Sequence, residues 1–318
     1  MNILVFGKDG QLGKAFKAIF TKRAEQQHRI QYVGRAECDL ANTDAITELL
    51  NQTNPDLIIN TAAYTAVDKA ETEIDTAFAI NAKAPEAMAI YAKGHGATYL
   101  HYSTDYVFDG SKQTPYVESD VRNPLGIYGK SKAAGEEAIE AVFKESNGTA
   151  WQYAILRTSW VYGEGGNFIR TILRLAKERD TLKVIADQYG VPTNAEWLAK
   201  MSLNLALSED GDAKSFPSGI YHAVPQGEAT WHALASYAVQ VALDAGVILK
   251  LLPDAIEPIP ATEYPLPAPR PTNSRMATTA LEKTLMGSGT MPKSELLHES
   301  WKPQVAAYVQ DLALHKII

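Results

Sequence analysis

The run NILVFGKDGQLG, residues 2 to 13, restricts the fold more than any other stretch of the chain. Its apolar start lacks the alternation of a half-exposed strand and reads as a strand buried on both faces, as in parallel sheets. Glycines then stand at the first, fourth and seventh positions of Gly7-Lys8-Asp9-Gly10-Gln11-Leu12-Gly13, and a helix from about Gly10 to Thr21 comes next. Between a strand and a helix, this spacing permits a tight turn and close backbone approach, and the helix N-terminus offers N–H donors to a pyrophosphate. A triphosphate-binding loop is rejected, because it needs glycine at position 8 and Ser or Thr at 15, where Lys8 and Ala15 stand.

The same rhythm continues down the chain. RIQYVGR reads as a second strand, NPDLIINTAA as a third, ATYLHYSTDYVF as a fourth and WQYAILRTSW as a fifth. Between them lie helical stretches: a Leu- and Ile-rich one ending near Asn51, then DTAFAINAKAPEAMAIYAKGHG, then GKSKAAGEEAIEAVF. Alternating strand and helix is the pattern of an α/β fold with a doubly wound parallel sheet. Beyond about residue 165 the pattern loosens into the helix NFIRTILRLAKERD, the short strand GIYHAV, the helix EATWHALASYAVQVAL and a Pro-rich stretch, 254–275, expected to be extended and turning. The expected division is a dinucleotide-binding domain over 1–160 and a smaller C-terminal lobe, mainly for substrate, over 161–318, with some of its segments returning to the first domain. The lobe's loops would close over the carboxyl edge of the sheet.

The residues just past the second strand bear on the cofactor. An acidic residue there suits the ribose of NAD, whereas an arginine accepts a 2′-phosphate, and Gly34-Arg35 tilts the expectation toward NADPH with NADH still open. Asp39 and Leu40 are placed to bracket an adenine, the carboxylate accepting from its amino group and the leucine packing on its face. The third strand leads into Thr61-Ala62-Ala63-Tyr64, small residues against which a dinucleotide can lie. The fourth brings Ser103-Thr104-Asp105-Tyr106 to the same edge.

Only one of the fifteen tyrosines, Tyr128, has a lysine four places on, Lys132, one helical turn away on the same face. A phenol with a pKa near 10 is a poor acid–base group at neutral pH. An ammonium about 4 Å away would favour phenolate by ~4 kcal/mol at an effective dielectric of 20, before desolvation opposes it. Lys132 would also bond the nicotinamide ribose, and Thr104 would supply a second hydrogen bond to a carbonyl oxygen becoming alkoxide.

Composition sets the outer limits. No apolar stretch approaches the ~20 residues of a membrane span, and the opening residues carry no export signal. The single cysteine, Cys38, has no disulfide partner in the chain, which fits a reducing cytoplasm, and a net charge of −7 argues against a general nucleic-acid binder.

Together, the glycine loop, Tyr128-x-x-x-Lys132 and Thr104 resemble the extended short-chain dehydrogenase/reductase superfamily with its Rossmann-type sheet. Within it the segments GKDGQLG, INTAAYTAVDKAE, STDYVFDG, YGKSKAAGE, RTSWVYG, GVPT and RPTNSR, spread over residues 7 to 275, are similar to the dTDP-4-dehydrorhamnose reductase family. The resemblance implies hydride delivery from NAD(P)H to C4 of a 4-keto sugar nucleotide, with Tyr128 protonating the oxygen and Lys132 and Thr104 assisting, as the last step of dTDP-L-rhamnose synthesis. It carries cofactor contacts to Gly10, Gln11, Leu12, Asp39, Leu40, Ala62, Ala63, Tyr64 and Lys132. Sugar-nucleotide contacts fall to Thr104, Asp105, Tyr106, Tyr128 and Trp160, and Asn273 and Arg275 suit a diphosphate. Some family members are Mg²⁺-dependent homodimers; the seven histidines lack metal spacing, so metal and dimer rest on the resemblance alone. Two other readings stay open: a dinucleotide-binding regulatory subunit like that of methionine adenosyltransferase, which predicts an eroded catalytic set, and a sugar-nucleotide epimerase or dehydratase.

Overall fold

The computed structural model describes residues 1–22, 28–144, 151–287 and 294–318. Six strands form one sheet: β1 (Asn2–Phe6), β2 (Arg29–Val33), β3 (Leu57–Asn60), β4 (Thr98–Thr104), β5 (Gln152–Thr158) and β6 (Gly219–His222). Their order across the sheet is β2-β1-β3-β4-β5-β6, and every pair is parallel. The order reverses between β1 and β3, and in such sheets ligands settle outside the carboxyl ends of the strands at that reversal. Phe6 pairs with both Val33 and Asn60, so the glycine loop, Gly34 and Thr61 leave the sheet side by side.

Alternation along each strand decides what lies on either face. Ile3, Val5, Leu57, Ile59, Leu100 and Leu156 meet Phe16 and Phe20 of α1 (Gln11–Lys22). Leu4, Phe6, Ile58, Tyr99 and Ile155 meet α2 (Thr43–Thr53), α3 (Ala84–His95) and α4 (Ile127–Lys144) on the other face. A separate core joins α5 (Phe168–Glu178), α7 (Trp231–Asp244) and α8 (Trp301–Leu314). Between α5 and α7 in the chain, α6 (Ala195–Ala206) packs against α1 and β6 extends the sheet beside β5.

Two elements differ from the sequence reading. The stretch read as one helix over 75–96 is a short helix Ile74–Phe78, a π turn Ala79–Lys83 and then α3. The reason lies across the interface: Asn81 is fully buried, and its side chain grips both backbone groups of Tyr64 and the Ser131 hydroxyl, so the widened turn serves its contacts. The fourth strand stops at Thr104, whose hydroxyl accepts from the Tyr106 N–H and opens a 3₁₀ turn over Asp105–Val107.

α4 can seat against both features because it carries glycine where it touches them. A Cβ on Gly129 would lie 2.2 Å from the Tyr106 carbonyl oxygen, and one on Gly135 would lie 2.1 Å from that of Asn81. Glycine to alanine in a helix ordinarily gains up to ~1 kcal/mol. Gly135→Ala is instead expected to destabilise by about 1–3 kcal/mol through overpacking, whereas Gly94→Ala on α3, with nothing within 4 Å of the added carbon, should be neutral or stabilising. Denaturant unfolding of both variants checks the pair.

Candidate active site

At the reversal of strand order, Gly7 adopts φ +88 and lies so close to β3 that a Cβ would sit 2.6 Å from the Thr61 hydroxyl. A Cβ on Gly13 would lie 2.1 Å from the Gly7 carbonyl oxygen, which holds α1 tight under the loop, while Gly10 meets only that oxygen, at 3.4 Å. Gln11, Leu12 and Gly13 form the first turn of α1, whose N–H groups have no acceptor inside the helix. Beside the loop runs a cleft of about 260 Å³ lined by Gly7, Arg35, Asp39, Leu40, Ala62, Ala63 and Tyr64, together with Phe6, Val33 and Ile80. The residues read from sequence as adenosine and backbone contacts therefore face one space. Donors at the loop, an apolar cleft and the exposed Arg35 at its rim fit a dinucleotide.

The loop after β2 also carries a group absent from the sequence reading. Glu37 ion-pairs with Lys8 and accepts from the Gly34 N–H at 2.8 Å, so the turn that presents Arg35 is cross-linked to the phosphate loop.

Tyr128 and Lys132 occupy the first turns of α4, next to the carboxyl end of β4. The Thr104 hydroxyl donates to Asp105 Oδ1 at 3.0 Å and stands close enough to the Tyr128 phenol to lower its proton affinity. Lys132 is 2 % exposed, and its Nζ turns into the fold, donating to the Tyr102 carbonyl at 2.6 Å and lying 3.2 Å from His101 Nε2. The balance expected from the pair spacing is therefore corrected. Burial pushes the Tyr128 phenol up to about 12, with Thr104 lowering it and the Asp105 charge raising it. Burial likewise brings Lys132 down to about 8, against the pull of Glu136. Desolvation outweighs the attraction, since the lysine nitrogen is directed at β4.

The remaining candidates ring this point. Tyr106 packs edge-on to Tyr128, with ring centroids 5.4 Å apart. Trp160, two residues past the end of β5, holds the left-handed φ of 47 and stacks on Trp231 at 3.7 Å. A bulky residue in that region is backbone strain that the surrounding packing must sustain, here with its ring over Gly190, where a Cβ would lie 2.6 Å away. Asn273 is buried, and its amide donates to the carbonyls of Lys112 and Thr114. Arg275 donates to Asn273 Oδ1, Glu228 and the Gln113 carbonyl, and lies over the Tyr189 ring. Both hold the Pro-rich strap in this structure. Between them, Ser274 donates to Asp105 Oδ2, which brings the strap into the site.

Four further residues connect the site: Asn60 and His101 beneath Lys132, Asn81 beneath Tyr64, and Arg270, which pairs bidentately with Asp68 at 2.6 and 2.9 Å and links the strap to the segment after the cleft. A lone buried polar residue inside an apolar strand or helix was the only sequence signal for the first three. Among the described residues, no group of three or more His, Cys, Asp or Glu could hold a metal ion, and no helix is long and apolar enough to cross a membrane.

Residues 1–313 match the model of the family described as RmlD substrate binding domain. The chain is 42% identical over 291 residues to the dTDP-4-dehydrorhamnose reductase of Salmonella typhimurium, covering 89% of this chain and 91% of that one. It is similar to the solved dTDP-4-dehydrorhamnose reductase of Clostridium acetobutylicum, with TM-score 0.82, 32% identity, and 98% and 99% of the two chains covered. The Bacillus anthracis dTDP-4-dehydrorhamnose reductase, solved in complex with NADP, gives TM-score 0.80, 30% identity and the same coverage.

Asp105 offers a test that needs no substrate. Burial raises its carboxyl to about 6, while Ser274 and Thr104 lower it. The folded value lies above the unfolded one, so the folded protein binds more protons between about pH 4 and 6 and loses stability as pH rises through that window. Asp105→Asn should abolish this fall, which amounts to roughly 2–3 kcal/mol at most. Unfolding free energies measured across that range check it.

Proposed function

Because this chain belongs to the RmlD substrate-binding-domain family, we infer that it is an NAD(P)H-dependent reductase that converts the C4 ketone of dTDP-4-dehydro-L-rhamnose to the alcohol of dTDP-L-rhamnose. The observation that carries this reading is the meeting of Tyr128 and Thr104 at the carboxyl end of β4, beside the strand-order reversal that opens the dinucleotide cleft. The reduced nicotinamide, when bound, supplies the hydride.

The chain's own residues do the rest. Tyr128 gives its phenolic proton to the carbonyl oxygen, a role for which a group held protonated across the neutral range is suited. Thr104 stands beside that phenol and, turning its one hydroxyl proton from Asp105 to the substrate, donates to the developing alkoxide. Lys132, when charged, stabilises negative charge on the tyrosine side of the site. Gly7, Gly10, Gln11, Leu12 and Gly13 hold the pyrophosphate, Ala62, Ala63 and Tyr64 line its path, Asp39 and Leu40 bracket the adenine, and Arg35 faces the 2′-phosphate that distinguishes NADPH. Tyr106 and Trp160 present aromatic faces to the sugar nucleotide, and Asp105 accepts from its hydroxyls. Asn273 and Arg275 shape the strap over the diphosphate, where the guanidinium can exchange the exposed Glu228 for phosphate oxygens.

A binding-only regulatory subunit would not need Thr104, Tyr128 and Lys132 together, and the dehydratase reading lacks an acid next to Asp105, where Tyr106 stands.

Two measurements test the reading. Oxidation of NADPH by purified protein supplied with dTDP-4-dehydro-L-rhamnose should fall ~10²–10⁴-fold in Tyr128→Phe while cofactor affinity is unchanged. Dinucleotide binding without turnover of this sugar by the wild type, using either NADPH or NADH, would overturn it. Arg35→Ser should weaken NADPH relative to NADH by roughly 10–100-fold, the worth of one charge-assisted hydrogen bond. Equal loss for both cofactors would remove Arg35 from the 2′-phosphate site.

A further inference from the structure

Beneath the candidate catalytic pair lies a buried chain of polar groups. His101, in the middle of β4, is 1 % exposed. Its Nε2 lies 3.2 Å from Lys132 Nζ, and its Nδ1 lies 3.2 Å from Asn60 Nδ2 and 3.4 Å from the Tyr99 hydroxyl. The Asn60 amide has a fixed sense, because its Oδ1 accepts the Ala62 N–H at 3.1 Å and turns the NH₂ end toward His101. A neutral imidazole carries one proton, and the nitrogen without it is the acceptor. With Asn60 donating to Nδ1, the ring proton belongs on Nε2, the nitrogen that faces Lys132.

We propose that His101 is a positioning residue that acts through Lys132: locked by Asn60 in the tautomer protonated on Nε2, it presents a donor to the lysine nitrogen and so favours the uncharged amine. In that arrangement each group is satisfied. Nε2–H donates to the Lys132 lone pair, Lys132 donates to the Tyr102 carbonyl, and Asn60 donates to Nδ1. A charged Lys132 would need Nε2 as an acceptor. The ring proton would then move to Nδ1 and meet the Asn60 N–H head-on, with only the more distant Tyr99 hydroxyl to receive it.

The other groups around Lys132 do not reverse this. On α4 the neighbours are Tyr128 one turn before and Glu136 one turn after, and the Glu136 carboxylate is engaged by Arg157 from β5 and Arg122 from the loop before α4. From β4 the titratable groups are His101 and, behind it, Tyr99; from β3 only the neutral Asn60 faces the ring. Burial lowers the proton affinity of both His101 and Lys132, in keeping with a neutral ring beside a readily discharged amine. The consequence is a lysine that titrates at about pH 8, so that activity which depends on its charge declines as pH rises through that value.

The tautomer can be read directly. Nitrogen NMR of the isotope-labelled protein, with His101 identified by its loss in His101→Gln, should show Nε2 protonated and Nδ1 bare once the pH is above about 8, where Lys132 is discharged. A proton on Nδ1, or a doubly protonated ring, overturns the proposal without reference to activity. The second arm rests on the reductase reading. Glutamine at 101 can offer its carbonyl oxygen to Lys132, so the alkaline limb of the pH–rate profile should move up by about one pH unit or more, equivalent to gaining one charge-assisted hydrogen bond. A folded, active His101→Gln enzyme whose alkaline limb stays in place also overturns the proposal. Failure of the wild type to reduce the sugar nucleotide would count against the reductase reading and leave the tautomer measurement standing.

Discussion

The buried ion pair between Glu136 of α4 and Arg157 of β5 is the interaction on which the site's geometry depends. Glu136 is fully buried and Arg157 is 1 % exposed, and they bond twice, at 2.9 and 2.6 Å. Arg122 adds a third bond to the same carboxylate at 2.6 Å and pairs with Glu140 as well. The two arginines hold the Glu136 carboxyl ionised in spite of burial. Such a pair need not outperform an apolar contact in stability, but breaking it by removing one partner leaves a buried charge uncompensated. It therefore fixes the rotation and depth of α4 against the sheet. One turn before Glu136 on that helix stands Lys132, and one turn earlier still stands Tyr128.

The remaining features depend on this anchor. α4 lies close enough to the Thr104–Val107 turn to require glycine at 129 and close enough to the π turn to require it at 135. The first contact sets the Tyr128 phenol against Thr104; the second ties Asn81, and through it the cleft-lining backbone of Tyr64, to Ser131 on the same helix. Cofactor cleft and proton donor are thus positioned by contacts along one seated helix. Close seating also buries the lysine nitrogen, which is why desolvation prevails over the attraction between ammonium and phenolate.

Sequence patterning exposed what is local. The strand-to-helix glycine loop, the unalternating apolar strand NILVF and the Tyr128-x-x-x-Lys132 spacing each occupy a few consecutive residues, and the structure places them at one sheet edge. What the sequence concealed is long-range or concerns atom direction. The Asp68–Arg270 pair joins residues 202 positions apart, and the Glu37–Lys8 link forms only once β1 and β2 are adjacent. The spacing of Tyr128 and Lys132 identifies a shared helix face, yet it does not reveal that the amine is directed at His101 and the Tyr102 carbonyl. A helix interrupted by a π turn reads from its pattern as one continuous helix, because the signal for the interruption is the partner that Asn81 reaches.

The most direct measurement is the equilibrium unfolding of Glu136→Gln together with turnover per folded molecule. If the pair seats α4, the neutral amide leaves the buried Arg157 guanidinium without its countercharge and Arg122 with Glu140 alone, and stability should fall by about 3–5 kcal/mol. Turnover per folded molecule should fall with it as Tyr128 drifts from Thr104. Loss of less than about 1 kcal/mol, the range of an exposed pair, with turnover intact would contradict the dependence of the site on this interaction.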